Sequence, residues 1–156
     1  ETDLSPPAIF LICPDAFPGK PDFKGMGELN GEELEYLYDN IRLQLDEEDF
    51  VISGKAWELY VASDAKAFEK WLNETHFWGS LHCLKLAMEA HVKRLSVNLN
   101  GLNAVEQRLL DIYNSGNKTR QSIYSIFWHT DKIYGMGDLE IDLYLDGLIK
   151  KQLINL

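Results

Sequence analysis

HVKRLSVNLNGLNAVEQRLLDIY, residues His91–Tyr113, is the stretch from which the organisation of the chain is read. An apolar stripe at helical spacing, Leu81, Leu84, Met88, His91/Val92 and Leu95, runs into it and ends there. Asn100-Gly101 then supplies the positive φ of a sharp reversal. Asn103, with Glu106 three residues on, is a capping-box-like start for the next helix. A stop, a turn and a start this close together leave little slack. The spacing predicts a fixed corner between two helices and divides the chain into residues 1–100 and 101–156.

On the N-terminal side, Glu1–Pro7 reads as a polar, proline-bearing tether. Ala8–Cys13, AIFLIC, is a short apolar run ended by Pro14, the pattern of a strand buried on both faces. Its ladder partners are not evident nearby, so they are expected outside this chain or in another copy. Pro14–Asn30 is a Pro/Gly loop anchored by Phe17 and Phe23. Asn30 caps a helix expected over Glu32–Leu45, with Leu34, Leu37, Tyr38, Ile41 and Leu45 on one face. Asp46–Asp49 reads as an acidic turn. Ser53 is expected to cap a short helix through Trp57, Tyr60 and Val61, Ser63 or Asp64 the next, and Ser80–Leu95 is the longest helix.

Beyond the corner, the spacing predicts three helices: one carrying Val105, Leu109, Ile112 and Tyr113, one over Thr119–Trp128 and one over Asp138–Lys150. QLINL, at Gln152–Leu156, is strand-like. The fold class expected is therefore mainly α with a minor α+β character. A helical region with one short N-terminal strand is followed by a winged-helix-like three-helix tail.

Composition narrows the functions. Hydrophobic content of 46% and aromatic content of 12% suit a packed domain and not a disordered one. No apolar run is long enough to span a bilayer, and a cytoplasmic protein is expected. The formal net charge is −10, with 9 Lys/Arg against 18 Asp/Glu before residue 101 and 6 against 7 after it. Such a surface repels phosphate backbones and weighs against nucleic acid and anionic membrane as partners. The expected last helix carries Asp138, Glu140, Asp142 and Asp146, the wrong charges for a major-groove reader. Cys13 and Cys83, the only cysteines, read as two buried free thiols, with a disulfide or redox pair as the alternative.

Candidate chemistry is sparse. His91 and Arg94, one turn apart, suit anion binding or acid–base work, or else bond the last carbonyls of their own helix; the structural reading is the stronger. Asp15 and Lys24 lie in the loop after the strand, the place where α/β folds bind ligands, although an ordered structural loop explains them as well. The four histidines and two cysteines show no metal-ligand spacing, and no cofactor is expected. Three tryptophans, Trp57, Trp71 and Trp128, are assigned to core packing, and Trp78 to a partly exposed position.

Five landmarks in order carry a family resemblance: LICPDAFPGKPDFKGMGEL (Leu11–Leu29), AWELYVASDAKAFEKWL (Ala56–Leu72), HVKR (His91–Arg94), NGLNAVEQRLL (Asn100–Leu110) and YGMGD (Tyr134–Asp138). From about Ile9 to Leu156 the chain resembles the C-terminal half of an uncharacterised bacterial family, domain of unknown function eighteen thirty-five. The resemblance implies a preceding α/β half with a Gly-Asp-Ser-like turn and a Trp-x-Glu-His-Asp-like segment, neither of which occurs here. That half would hold the sheet to which Ala8–Cys13 belongs and any active site. The chain starts at Glu1, not Met, which suits a processed chain or a piece of a longer one. The resemblance implies no activity. The reading is a non-catalytic protein-interaction or regulatory module, with a protein partner or self-association. The alternatives are a winged-helix transcriptional regulator and the accessory half of an enzyme. Any small-molecule ligand is left undetermined.

Overall fold

Local capping signals set most of the element boundaries. In the computed structural model, which describes residues 8–156, seven α-helices dominate: α1 (Gly31–Asn40), α2 (Glu47–Ala62), α3 (Ala65–Glu74), α4 (His82–Leu95), α5 (Ala104–Asn114), α6 (Arg120–Thr130) and α7 (Asp138–Lys150). A two-stranded antiparallel sheet joins β1 (Phe10–Leu11) to β2 (Leu43–Gln44), with Phe10 opposite Gln44 and Leu11 opposite Leu43. The fold is thus mainly helical with one small sheet near its N-terminal end. Glu1–Pro7, read from sequence as a tether, lies outside the described residues.

The strand differs from expectation. Its partner is in this chain, supplied by the segment after α1, and it is not buried: Ile9 and Phe10 are exposed. In place of a covering sheet, the Arg42 guanidinium lies over the Phe10 and Tyr38 rings, at 5.3 and 4.1 Å from their centroids. Because Leu43 and Gln44 are taken by the ladder, α1 ends at Asn40, short of the expected Leu45. Its start is as expected: Asn30 and Glu33 form a reciprocal capping box.

The acidic run Asp46–Asp49 is not a turn but the beginning of α2. The Asp46 carboxylate accepts from the Asp49 N–H at 3.0 Å, and Asp49 accepts from the Asp46 N–H at 3.1 Å. Ser53 accordingly lies inside one long helix and caps nothing. Asp49 is also buried, and its second oxygen accepts the Ser80 N–H at 3.0 Å. Gly79 lets the chain approach this closely: it has φ +47°, and a Cβ there would lie 2.5 Å from the carboxylate oxygen. Leu59, Phe68 and Val92 from α2, α3 and α4 bury one another, with Trp71, Leu72 and Met88 packed against them.

The corner is as tight as its spacing implies. The Asn98 side chain accepts the N–H groups of Asn100 and Leu102 at 2.9 and 3.1 Å, Gly101 has φ +71°, and Asn103 and Glu106 close a capping box. Past it, Val105, Leu109 and Ile112 of α5 pack with Ile123, Tyr124 and Phe127 of α6 and Ile141, Leu145 and Leu148 of α7. Arg120, at the start of α6, grips Asp142 and Asp146 on α7, and the Tyr124 hydroxyl donates to Asp142.

The expected wing strand at Gln152–Leu156 is not formed. Gln152 adopts φ +58°, its N–H reaches the Ile149 carbonyl at 2.8 Å, and the Leu153 N–H reaches Leu148 at 3.0 Å. This double closure caps α7 and folds the chain back, burying Ile154 in the three-helix core. A strand there would forfeit both capping bonds and that burial.

Asp49→Ala removes the acceptor of two backbone donors, and the Ser80 N–H it leaves has no other partner. It is expected to lower unfolding stability by about 2–4 kcal/mol, against about 1 kcal/mol for Asp46→Ala, which removes a cap alone. Urea denaturation of the two variants checks the order.

Candidate functional site

The residues singled out from sequence do not converge on one site. His91 and Arg94 meet on the last turns of α4. Lys24 is elsewhere, its ammonium 6.0 Å from the Trp128 ring centroid of α6. Asp15 sits in an exposed bend beside Cys13.

His91 is held by aromatic neighbours. The Tyr60 ring of α2 lies 4.7 Å from its centroid and the Phe68 ring of α3, edge-on, 5.6 Å. The Arg94 guanidinium sits 3.2 Å from Nδ1. A guanidinium only donates, so Nδ1 accepts and the proton is assigned to Nε2. That Nε2 is buried and has no partner among the described residues. Burial first, and the Arg94 charge second, hold the imidazole below the ordinary histidine pKa. Neither residue bonds the end of its own helix, the role favoured by the sequence. Arg94 instead reaches across the corner to Glu140 of α7, at 3.4 Å. Among the described residues the ring is packed against two aromatic side chains and has no nucleophile or carboxylate bonded to it, which makes it a packing element of the first half, while Arg94 carries the link to α7.

The α3–α4 side offers an open groove, bordered by Glu69, Leu72, His76, Lys85, Glu89 and Lys93. Its charges are mixed, and Lys85 and Glu89 face each other at 3.9 Å. Among the described residues no three His, Cys, Asp or Glu side chains converge in a way that could hold a metal ion. No helix there is long and apolar enough to cross a membrane.

The most unusual surface was not singled out from the sequence. The inner side of α2 carries Ile52, Ala56 and Leu59, of which Ala56 and Leu59 are buried. Its outer side carries Phe50, Gly54, Trp57 and Val61 at i, i+4, i+7 and i+11, the spacing of a second apolar stripe. Phe50 is 45% exposed, Trp57 65% and Val61 63%. Tyr60 stacks on Trp57 at 5.8 Å between centroids, which fixes the indole. Gly54 leaves open space in the middle of the stripe. Glu47 and Glu58 border it, and Glu58 is paired with Lys55 at 2.9 Å.

Trp57 therefore corrects a reading: it is not core. Trp78 corrects the converse one. It is buried, edge-on to Trp71 at 5.1 Å, and donates from Nε1 to the Thr75 carbonyl at 3.0 Å. A signal for α2 was present in the sequence: apolar residues fall on opposite sides of it, so one side has no partner within a small domain. Comparison of the chain with protein-family models, curated proteins and solved structures finds no match.

The lowered His91 pKa sets a pH dependence. The unfolded chain takes up this proton more readily than the folded one. The contribution is therefore fully present above the ordinary histidine value, about 6.5, and is lost as pH falls from there through the lower native value. NMR titration of the His91 imidazole is expected to give a pKa below the ordinary one, and Arg94→Met is expected to raise it by removing the neighbouring charge. His91→Phe is expected to flatten this part of the stability–pH curve.

Proposed function

We propose that this chain is a non-catalytic protein-docking module, and that the outer face of α2 is its contact surface. The observation that carries the reading is the solvent-facing stripe Phe50–Gly54–Trp57–Val61 on a helix whose other side is already packed. A contiguous exposed apolar surface on a small domain costs solubility and is characteristic of interaction sites. A rigid Trp stacked on Tyr is the kind of anchor that dominates binding energy. Gly54 leaves room for a partner backbone or side chain.

The partner that fits is an amphipathic helix with a basic polar face, laid along α2. Charge favours it over a second copy. The first hundred residues hold 18 Asp/Glu against 9 Lys/Arg, so two copies meeting here would bring like charge together, whereas Lys/Arg on a partner would pair with Glu47 and its acidic surroundings. Duplex DNA is disfavoured on the same ground. On α7, Asp142 and Asp146 are engaged by Arg120 rather than free to be replaced by a phosphate-seeking face.

The test is calorimetric titration with a synthetic Leu/Lys amphipathic helical peptide, alongside a Leu/Glu peptide of the same pattern. The combined Trp57→Ala and Val61→Asp variant is expected to bind the Leu/Lys peptide at least tenfold more weakly, about 1.4 kcal/mol or more. Because both side chains are largely exposed, its melting temperature is expected to stay close to the parent's. Equal binding by parent and variant, or preference for the Leu/Glu peptide, would overturn the reading. A dimer in sedimentation that the same variant dissolves would replace the basic helix with a second copy.

A further inference from the structure

The core-facing side of α7 is Ile141, Leu145 and Leu148. Its solvent side carries Leu139, Leu143 and Gly147 at i, i+4 and i+8, one straight stripe along the helix. Leu139 is 78% exposed and Leu143 74%, more than any side chain of the α2 stripe. Two adjacent leucines held out from a packed helix make an apolar surface that nothing among the described residues covers. Gly147 completes it. Its backbone is helical, and a Cβ there would meet no atom of the rest of the fold within 4 Å. Nothing inside the chain therefore requires glycine at this point, where it weakens the helix relative to alanine. The missing side chain leaves a dent one turn from a protruding leucine, where a second helix can come close.

The charges around the stripe select the occupant. Asp138 stands at the N-terminal end of α7 and Lys150 at the other. The acids between them are engaged within the chain: Asp142 and Asp146 by Arg120, Glu140 by Arg94 at 3.4 Å. A uniformly acidic or basic partner gains at one end of the helix what it loses at the other. A second copy of the same helix, run antiparallel, meets each end with the opposite sign and opposes the two helix dipoles. The tail is also nearly neutral, with 6 Lys/Arg against 7 Asp/Glu after residue 100. Two copies approach here without the repulsion that the acidic first hundred residues bring.

We propose that the Leu139–Leu143–Gly147 face of α7 is a self-association surface, on which two copies of the chain pair their α7 helices antiparallel about a two-fold axis at Leu143. In that register Leu143 meets Leu143 of the second copy, and Leu139 of each copy enters the dent at Gly147 of the other. Lys150 of each comes near Asp138 of the other. Asp146 faces Glu140 of the second copy, a like-charged contact that Arg120 and Arg94 neutralise from within each chain. The same patch serves both copies, so the assembly closes at two. The face is short, and its dissociation constant is expected at roughly 0.1–1 mM. The surface does not rest on the docking role of α2, which it leaves free for a different partner.

The experiment is sedimentation equilibrium on the whole chain over a concentration series from about 20 μM to about 1 mM, with thermal melting of each variant alongside. A reversible monomer–dimer equilibrium is expected. Leu143→Asp places two carboxylates at the axis and is expected to raise the dissociation constant at least tenfold. Gly147→Leu fills the dent and is expected to do the same without lowering the melting temperature, because leucine is the better helix former. Asp138→Lys is expected to weaken the dimer, and adding Lys150→Glu to restore it. The combined Trp57→Ala and Val61→Asp variant is expected to leave it unchanged. A monomer throughout the series, a dimer that survives Leu143→Asp and Gly147→Leu, a dimer dissolved by the α2 variant, or no recovery on adding Lys150→Glu would overturn the proposal.

Discussion

The Asp49 carboxylate holds the N-terminal half together. It closes the first turn of α2 on one side and takes the Ser80 N–H, immediately before α4, on the other. A buried carboxylate costs several kcal/mol in lost hydration unless its lone pairs are used. Here backbone donors from two distant segments use them, and Gly79 is the residue that lets the second segment come so near. The bond sets the start of α4 against the start of α2. With those ends placed, Leu59 meets Val92 and Phe68, Tyr60 meets His91, and the opposite side of α2 has nowhere to go but solvent.

The second half is built differently. Its three helices enclose an apolar core with Val105, Leu109, Ile123, Ile141, Leu145 and Leu148 fully out of solvent. Ion pairs tie its periphery: Arg120 to α7, Arg108 to Asp131 at 2.8 Å, and Lys151 to Glu106 at 2.7 Å. Partly exposed pairs of this kind add little individually, so packing does most of the stabilising. The halves meet at the Asn98–Asn103 corner and at Arg94–Glu140. The exposed apolar face of α2 and the three-helix core lie on opposite sides of that corner in sequence, which leaves the face free of the residues that stabilise the tail.

Local chemistry was the legible part. Asn30/Glu33 and Asn103/Glu106 are capping pairs three residues apart and need nothing distant to form, so their helices begin where the spacing says. Asp46/Asp49 is the same device, but with Asp in the place usually taken by Glu or Gln it reads as an acidic turn, and α2 loses its first residues with it. The site was less legible. Trp57 and Trp78 carry identical side chains in similar apolar surroundings. Which of them is buried depends on whether a neighbour across space, Trp71 in one case and solvent in the other, receives the ring.

Sequence alone determined the helical class, the tight corner after α4 and the acidic character of the surface, because periodicity, caps and charge are properties of short windows. Tertiary structure alone decided that β1 pairs with residues after α1 and that QLINL caps a helix instead of forming a wing. It alone decided that Arg94 reaches Glu140. It also decided which side of α2 faces outward. Each of these is a contact between residues far apart in the chain, and such contacts form only once the cores have placed the helices that carry them.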